Sequence, residues 1–151
     1  MLKEGYILKF NPFIFKNGAT PKAKYFIVLK EIENKVVLAS LPTSKDHIPA
    51  DVSLQEGCIE LPDRQVNIYV FPAQKDIAIH PESQKLFSFE RNTFIYGADL
   101  DTYPTEILTR QICNGETKLE LMGRLSEEQF FALKECLKNS RMVKNRFKRV
   151  L

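Results

Sequence analysis

The sequence lacks any long hydrophobic run. No apolar stretch approaches the roughly 20 residues that a transmembrane helix needs, and the opening MLKEGYILKF lacks the apolar stretch of a signal peptide. These absences argue against a membrane-spanning protein and against a secreted one. We therefore expect a soluble protein of the cytoplasm that does not associate with membranes.

Cysteine and histidine are also scarce. The chain has three cysteines and two histidines, and their positions do not follow the spacing of metal ligands. We therefore expect neither a bound metal nor another cofactor. Cys58, Cys113 and Cys136 are odd in number and lie far apart, which predicts reduced thiols rather than a disulfide framework.

Internal repeats and low-complexity segments are not visible either. The length of 151 residues lies near the commonest size of a single domain, and 44% hydrophobic residues are enough to build one core. We predict a single domain over residues 1–151, with a C-terminal helical segment at about 126–150.

Positive charge is concentrated at the C-terminal end of the chain. The net charge is +3, but residues 134–151 carry seven basic side chains against Glu135 alone, which leaves −3 for the remainder. Such asymmetry is typical of a protein with an anionic partner, such as a nucleic acid or an acidic protein segment, and equally of a solvated basic helix end.

Two apolar runs, at 25–32 and 36–41, are separated only by Glu33-Asn34-Lys35. Both are rich in β-branched or aromatic residues, so this segment predicts an antiparallel hairpin. In a hairpin the start of the first strand lies beside the end of the second. Lys24 and Tyr25 are therefore expected next to residues 42–44.

The remaining pattern predicts a mostly β protein with one clear late helix. Ser126-Glu127-Glu128-Gln129 forms a capping box, and an apolar stripe follows it. A helical turn is expected near 104–112. Further strands are predicted at 5–10, ending at Asn11-Pro12, and at 58–62, 65–72, within 85–97 and at 119–122. Short strands with a C-terminal helix indicate a small antiparallel β-barrel decorated by short helices.

Four segments occur in an order that is familiar: GYILKFNP at 5–12, KAKYFIVL at 22–29, LPTS at 41–44 and MGRLSEE at 122–128. Together they resemble the MazF/PemK family of toxin endoribonucleases, whose fold is an SH3-like barrel with a C-terminal helix. The resemblance implies cleavage of single-stranded RNA by attack of the neighbouring 2′-hydroxyl, without metal. It also implies a homodimer that is neutralised by an antitoxin protein segment.

The resemblance also implies a site. In the family, an arginine before the second strand and a threonine or serine after the third lie close to the phosphate. Lysine lacks the planar fork of arginine, but Lys24 occupies the arginine position, and Tyr25 replaces the proline that follows it. The implied catalytic residues are Lys24, Thr43, Ser44 and His47, the last as a base. The implied RNA-binding residues are Lys16, Lys22, Tyr25 and Lys45.

Other interpretations stay open at this point. Arg91 can contact phosphate, although its position between strands favours an ordinary cross-strand charge pair. The loss of the family arginine favours an alternative function, a non-catalytic barrel module that binds nucleic acid or a protein partner. Duplex DNA binding through the basic residues of 134–149 is a third hypothesis.

Overall fold

The computed structural model describes residues 2–151, which form ten β-strands and three α-helices. The strands are β1 (Tyr6–Phe13), β2 (Lys22–Ile32), β3 (Lys35–Ser40), β4 (Gly57–Leu61), β5 (Val66–Phe71), β6 (Ala78–Ile79), β7 (Leu86–Phe87), β8 (Thr93–Tyr96), β9 (Asp101–Pro104) and β10 (Lys118–Leu125). The helices are α1 (Thr105–Cys113), α2 (Glu127–Lys138) and α3 (Asn145–Lys148).

The strands form two antiparallel sheets. The larger sheet has the order β7-β6-β10-β1-β2-β3-β9, and the smaller has the order β4-β5-β8. The predicted class, mostly β with a C-terminal helix, is confirmed. Within residues 2–151 the strands do not close into one barrel, because β7 and β9 are the two edges of the larger sheet.

The predicted hairpin is confirmed as β2 and β3. The two strands pair from Ile32 opposite Lys35 to Phe26 opposite Ser40, and the two-residue turn includes Glu33 at a φ of 32°. The predicted end of the first strand at Asn11-Pro12 is wrong, since β1 continues to Phe13. The ladder between β1 and β2 shifts register after Phe10, so Pro12 does not have to supply a backbone donor.

Strand β2 is buried on both faces. Ile27 and Leu29 face a core that is shared with the three-stranded sheet and α2. Phe26 and Val28 face a second core, to which α1 contributes Leu108. A strand between two cores must be apolar at successive positions, which explains the unbroken run of hydrophobic residues here. Alternate side chains of β2 therefore point to different environments.

The helical predictions are largely confirmed. Ser126 caps α2, because its hydroxyl accepts a hydrogen bond from the Gln129 N–H at 3.2 Å, and Leu133 and Leu137 are fully buried. The segment at about 126–150 consists of two helices, since α2 ends at Lys138 and only the short α3 follows. None of the helices in residues 2–151 has the length and apolar character needed to cross a membrane.

The prediction of reduced thiols is wrong for two of the three cysteines. Cys58 of β4 and Cys136 of α2 form a disulfide, with Cα atoms 5.6 Å apart despite a separation of 78 residues in sequence. The helix packs across the three-stranded sheet, and this contact brings the two residues together. A bridge that closes so long a loop contributes roughly 2–4 kcal/mol to stability. Cys113 is free and exposed.

Candidate functional site

The chain leaves the larger sheet immediately after β3. The Leu41 N–H donates to the Tyr25 carbonyl at 3.0 Å, and the Phe94 N–H donates to the Pro42 carbonyl at 2.9 Å. Pro42 has no N–H with which to extend the ladder towards Lys24. The hairpin thus ends with Leu41 beside Tyr25, and the following residues cross to β8 in the smaller sheet. The prediction that residues 42–44 lie next to both Lys24 and Tyr25 is therefore wrong for Lys24, whereas Thr43 lines a cavity together with Tyr25.

Lys24 lies on the Phe26 side of β2. Its ammonium nitrogen is 5.5 Å from the centre of the Phe15 ring and 5.9 Å from that of Phe26. The side chain is half-buried, and burial lowers the pKa of Lys24, with a smaller contribution from the charge of Lys22; Asp99 acts in the opposite direction. Lys24 therefore occupies an aromatic environment next to the second core.

Tyr25 lies on the opposite side of β2, where the structure forms an open groove. A cavity of about 400 Å³ is lined by Tyr25, Thr43, Phe87 and Arg91 among others. A second cavity of about 320 Å³ shares Thr43 and Arg91 with the first and adds Lys45. We call these two cavities together the Arg91 groove. Three of the residues predicted for the site, Tyr25, Thr43 and Lys45, therefore line this groove.

Aromatic rings line one end of the Arg91 groove. The Tyr25 ring stands edge-on to Phe89, with centroids 5.8 Å apart, and lies 6.5 Å from Phe87. Lys9 is opposite Tyr25 in the ladder between β1 and β2, and its ammonium nitrogen lies 5.7 Å from the centre of that ring. Aromatic faces with nearby cations are the usual components of sites for single-stranded nucleic acid.

Arg91 is exposed in the turn before β8. The turn backbone is held by two hydrogen bonds: the Thr93 hydroxyl donates to the Arg91 carbonyl at 2.9 Å, and the Ala73 N–H donates to the Asn92 side-chain oxygen at 2.8 Å. The cross-strand charge pair expected for Arg91 is not formed. No carboxylate of residues 2–151 lies within ion-pair distance of its guanidinium.

Ser44 and His47 are placed outside the groove. The Tyr96 hydroxyl donates to the Ser44 carbonyl at 2.5 Å, and the Ser44 hydroxyl accepts from the Asp46 N–H at 3.2 Å. The His47 ring meets Tyr96 edge-on at 5.1 Å and lines a separate cavity of about 140 Å³. Burial, followed by the charges of Asp46 and Asp99, raises the pKa of Tyr96 to about 12.

The remaining predicted lysines, Lys16 and Lys22, do not line the Arg91 groove either. Lys16 pairs with Asp101 at 3.0 Å, lies 4.1 Å above the Tyr103 ring and lines a cavity of about 500 Å³ next to α1. Lys22 is exposed at the start of β2. The structure therefore divides the eight predicted residues among several surfaces and brings only Tyr25, Thr43 and Lys45 together.

Lys9, Phe87, Phe89 and Glu90 also belong to this region, but they are not among the residues that the sequence predicts for the site. Glu90 lines the same cavity as Thr43 and Arg91. Lys9 could have been identified from the sequence, because it is the single charged residue of β1 and lies between the buried Leu8 and Phe10. The other three come from the segment at and after the two-residue strand β7, where the sequence pattern did not indicate which residues meet β2.

The described part of the chain, residues 2–151, contains no group of three or more His, Cys, Asp or Glu side chains that is placed to hold a metal ion. No protein-family model and no curated protein matches the chain by sequence. The resemblance to MazF/PemK toxins therefore stays a prediction that depends on the four segments alone.

Proposed function

We propose that this protein is an endoribonuclease of the toxin–antitoxin type, which binds single-stranded RNA in the Arg91 groove. One observation carries the proposal: Thr43 and Arg91 line the same cavity as Tyr25. An exposed arginine that has no carboxylate partner among the described residues is available to hold a phosphate through its planar fork.

The groove suits an RNA segment of a few nucleotides. A base would stack on the exposed surface of Tyr25 or Phe87, which is a contact that tolerates any base. The phosphate that follows would lie between Arg91 and Thr43, and the next one would reach Lys45. In this arrangement a base contacts the aromatic end of the groove and the phosphates contact its cationic end.

The proposed reaction uses the substrate's own nucleophile. The 2′-hydroxyl oxygen forms a bond to the adjacent phosphorus, and the bond from phosphorus to the 5′-oxygen breaks. Glu90 accepts the proton of the 2′-hydroxyl, and water supplies a proton to the leaving 5′-oxygen. Arg91 and Thr43 donate to the phosphate oxygens as charge develops, each worth roughly 3 kcal/mol at a well-formed site.

The resemblance and the geometry suggest different cations. By sequence position Lys24 corresponds to the family arginine, whereas Arg91 is the cation that lines a cavity with Thr43. We propose that Arg91 performs the role assigned to Lys24, and that Ser44 and His47 shape the turn that carries Thr43. If Arg91 performs this role, Arg91→Ala should slow RNA cleavage and Lys24→Ala should not. If Lys24 performs it, the reverse is expected.

The partners implied by the resemblance belong to the same proposal. An acidic antitoxin segment would compete with RNA for the cations Arg91, Lys45 and Lys9. A homodimer and a cytoplasmic location, where RNA is accessible, are further parts of it. Sedimentation equilibrium of the purified chain tests the dimer independently of activity.

The direct test is incubation of the purified protein with a long single-stranded RNA in EDTA. We expect cleavage to products with a cyclic phosphate at one end. Glu90→Gln and Thr43→Ala should each slow cleavage about 100-fold or more. Thr20→Ala, which alters an exposed threonine of the loop before β2, is the matched control and should cleave at the native rate. Intact RNA after hours at enzyme excess would refute the nuclease.

A non-catalytic binding module is the second candidate. It is favoured by the absence of any histidine from the residues lining the Arg91 groove. Expression in a bacterial host separates the two functions. Growth arrest that is relieved by Arg91→Ala supports the nuclease, and harmless accumulation of a protein that still binds RNA supports the module.

A further inference from the structure

The second half of α2 and the residues after it carry an unusual concentration of positive charge. Residues 134–151 have seven basic side chains and one acidic one. Glu135 pairs with Lys138 at 3.6 Å. The described residues provide no other ion-pair partner for the basic side chains of this segment. Most of the positive charge is therefore not neutralised within the chain.

Packing turns these charges outward. Val143 and Phe147 are each 2% exposed, and they pack the C-terminal segment against the core that contains Ile27 and Leu29 of β2. Between and around them, Arg141, Lys144, Arg146 and Arg149 are exposed. Because Val143 and Phe147 are buried, the outer side of this segment presents mainly cations. Such a surface suits a phosphate backbone better than a peptide that needs apolar contacts.

Phe131 adds an exposed aromatic ring on the same helix as two of the basic side chains, Lys134 and Lys138. Its side chain is 64% exposed, although it lies in a helix whose other face is buried by Leu133 and Leu137. Lys134 and Lys138 follow Phe131 at spacings of three and seven residues, so all three lie on the same side of α2. We call Phe131, Lys134, Lys138 and the exposed cations of residues 141–149 the C-terminal basic surface.

We propose that the C-terminal basic surface is a second binding site for single-stranded RNA, outside the Arg91 groove. The choice of RNA as the partner rests on the proposed function. A base stacks on Phe131, and the phosphates on either side of it contact the lysines of α2 and the arginines of the C-terminal segment. The surface holds a long RNA while a short stretch of it occupies the groove.

The test measures affinity for an RNA that cannot be cleaved, namely a 20-nucleotide oligouridine with 2′-O-methyl groups, by fluorescence anisotropy at several salt concentrations. The variant is the triple charge reversal Lys144→Glu, Arg146→Glu and Arg149→Glu. We expect at least about 10-fold weaker binding and a loss of about 2 units from the slope of log affinity against log salt. The control variant reverses the charge of three exposed lysines elsewhere, by Lys35→Glu, Lys85→Glu and Lys118→Glu. It should change the affinity and the salt slope much less.

A second variant avoids any change in charge. Phe131→Ala should weaken binding about 10-fold, as expected for the loss of one stacked base, with an unaltered salt slope. Native affinity in both variants overturns the proposal. Equal weakening in the triple variant and its control also overturns it, because net charge would then explain the effect. Tight binding of a polyglutamate peptide that only the triple variant loses, with RNA affinity unchanged, would assign the surface to a protein partner instead.

The result is distinguishable from failure of the nuclease. If the protein does not cleave RNA, the affinity and the salt slope still decide whether this surface binds it. If Arg91→Ala abolishes cleavage of a tetranucleotide while the triple variant cleaves it at the native rate, both proposals stand and the two sites are separate.

Discussion

The two sides of β2 differ in a way that the sequence of the strand does not reveal. Lys24 and Tyr25 are neighbours, yet Lys24 lies among aromatic rings beside the second core and Tyr25 lines the open Arg91 groove. Pleating sends successive side chains to opposite faces of a sheet. A cation next to a site residue in sequence is therefore on the wrong side of the strand, and the cation of the site must come from another element.

Stability should depend most on the Lys24 side. Phe26 is 3% exposed within the second core, so Phe26→Ala should cost about 3–5 kcal/mol of unfolding free energy. Urea unfolding measures this, and Phe131→Ala is the matched control, since its 64% exposed ring should contribute within about 0.5 kcal/mol. Similar losses in the two variants would show that this side of β2 is not a packed core.

Activity should depend on the Tyr25 side. Arg91→Ala is expected to slow RNA cleavage about 100-fold or more, which corresponds to about 2.7 kcal/mol, with little change in stability because Arg91 is exposed. Lys24→Ala should leave the rate within about threefold. Single-turnover kinetics measure both, and Arg110→Ala on α1 serves as a control for loss of an arginine. The opposite ranking of Arg91 and Lys24 would restore the assignment by sequence position.

The aromatic end of the groove should affect binding more than the chemical step. Tyr25→Ala removes the stacking ring and should weaken binding of uncleavable RNA by about 1–3 kcal/mol. Tyr25→Phe keeps the ring and should bind within about threefold of the native protein. Fluorescence titration gives both affinities. Native affinity in Tyr25→Ala would mean that bases do not stack on this side of the strand.

The smallest effect is expected from the charge of Lys24 itself. Burial lowers its pKa in the folded protein below the ordinary 10.5, so the unfolded chain binds the proton more strongly. The charged ammonium of Lys24 therefore lowers the free energy of unfolding at neutral pH. This loss disappears as pH rises through the pKa of the folded protein towards that of the unfolded chain. Lys24→Met should therefore unfold at slightly higher urea concentration than the native protein near about pH 7.

The difference in unfolding urea concentration between Lys24→Met and the native protein should shrink as pH approaches 10.5, the ordinary pKa of lysine. Lys35→Met, which changes an exposed lysine at the start of β3, provides the control, and its effect should not vary in this way. A Lys24→Met protein that is less stable than the native one at neutral pH would show that the ammonium makes a net favourable contact with the neighbouring rings.

Local elements of the fold could be predicted because their causes are local. The hairpin of β2 and β3 follows from two apolar runs and a tight turn, and α2 begins where Ser126 supplies a cap. The end of β1 could not be predicted, because Pro12 is tolerated only through an irregularity in its pairing with β2. The Cys58–Cys136 bridge could not be predicted either, since the packing of α2 on the smaller sheet creates it.

The candidate site was predicted only in part, for the same reason. Tyr25 and Thr43 could be predicted from the hairpin. The Tyr25 carbonyl accepts the last hydrogen bond of the ladder, from Leu41, and Thr43 follows Leu41 by two residues. Arg91 reaches them from the turn before β8, and that turn is positioned by the pairing of β8 with β5 in another sheet. Contacts between residues nearly fifty positions apart leave no periodic pattern in either segment.

The sequence by itself determined the hairpin of β2 and β3, the start of α2, which residues are apolar enough to be buried, and that the positive charge lies at the C-terminal end. Tertiary structure alone decided which face of β2 is open, which cation stands beside Thr43, and which cysteines meet. The physical reason is that propensity, capping and alternation act over a few residues. The composition of a site depends instead on how two sheets and a helix pack, which is set by the whole core.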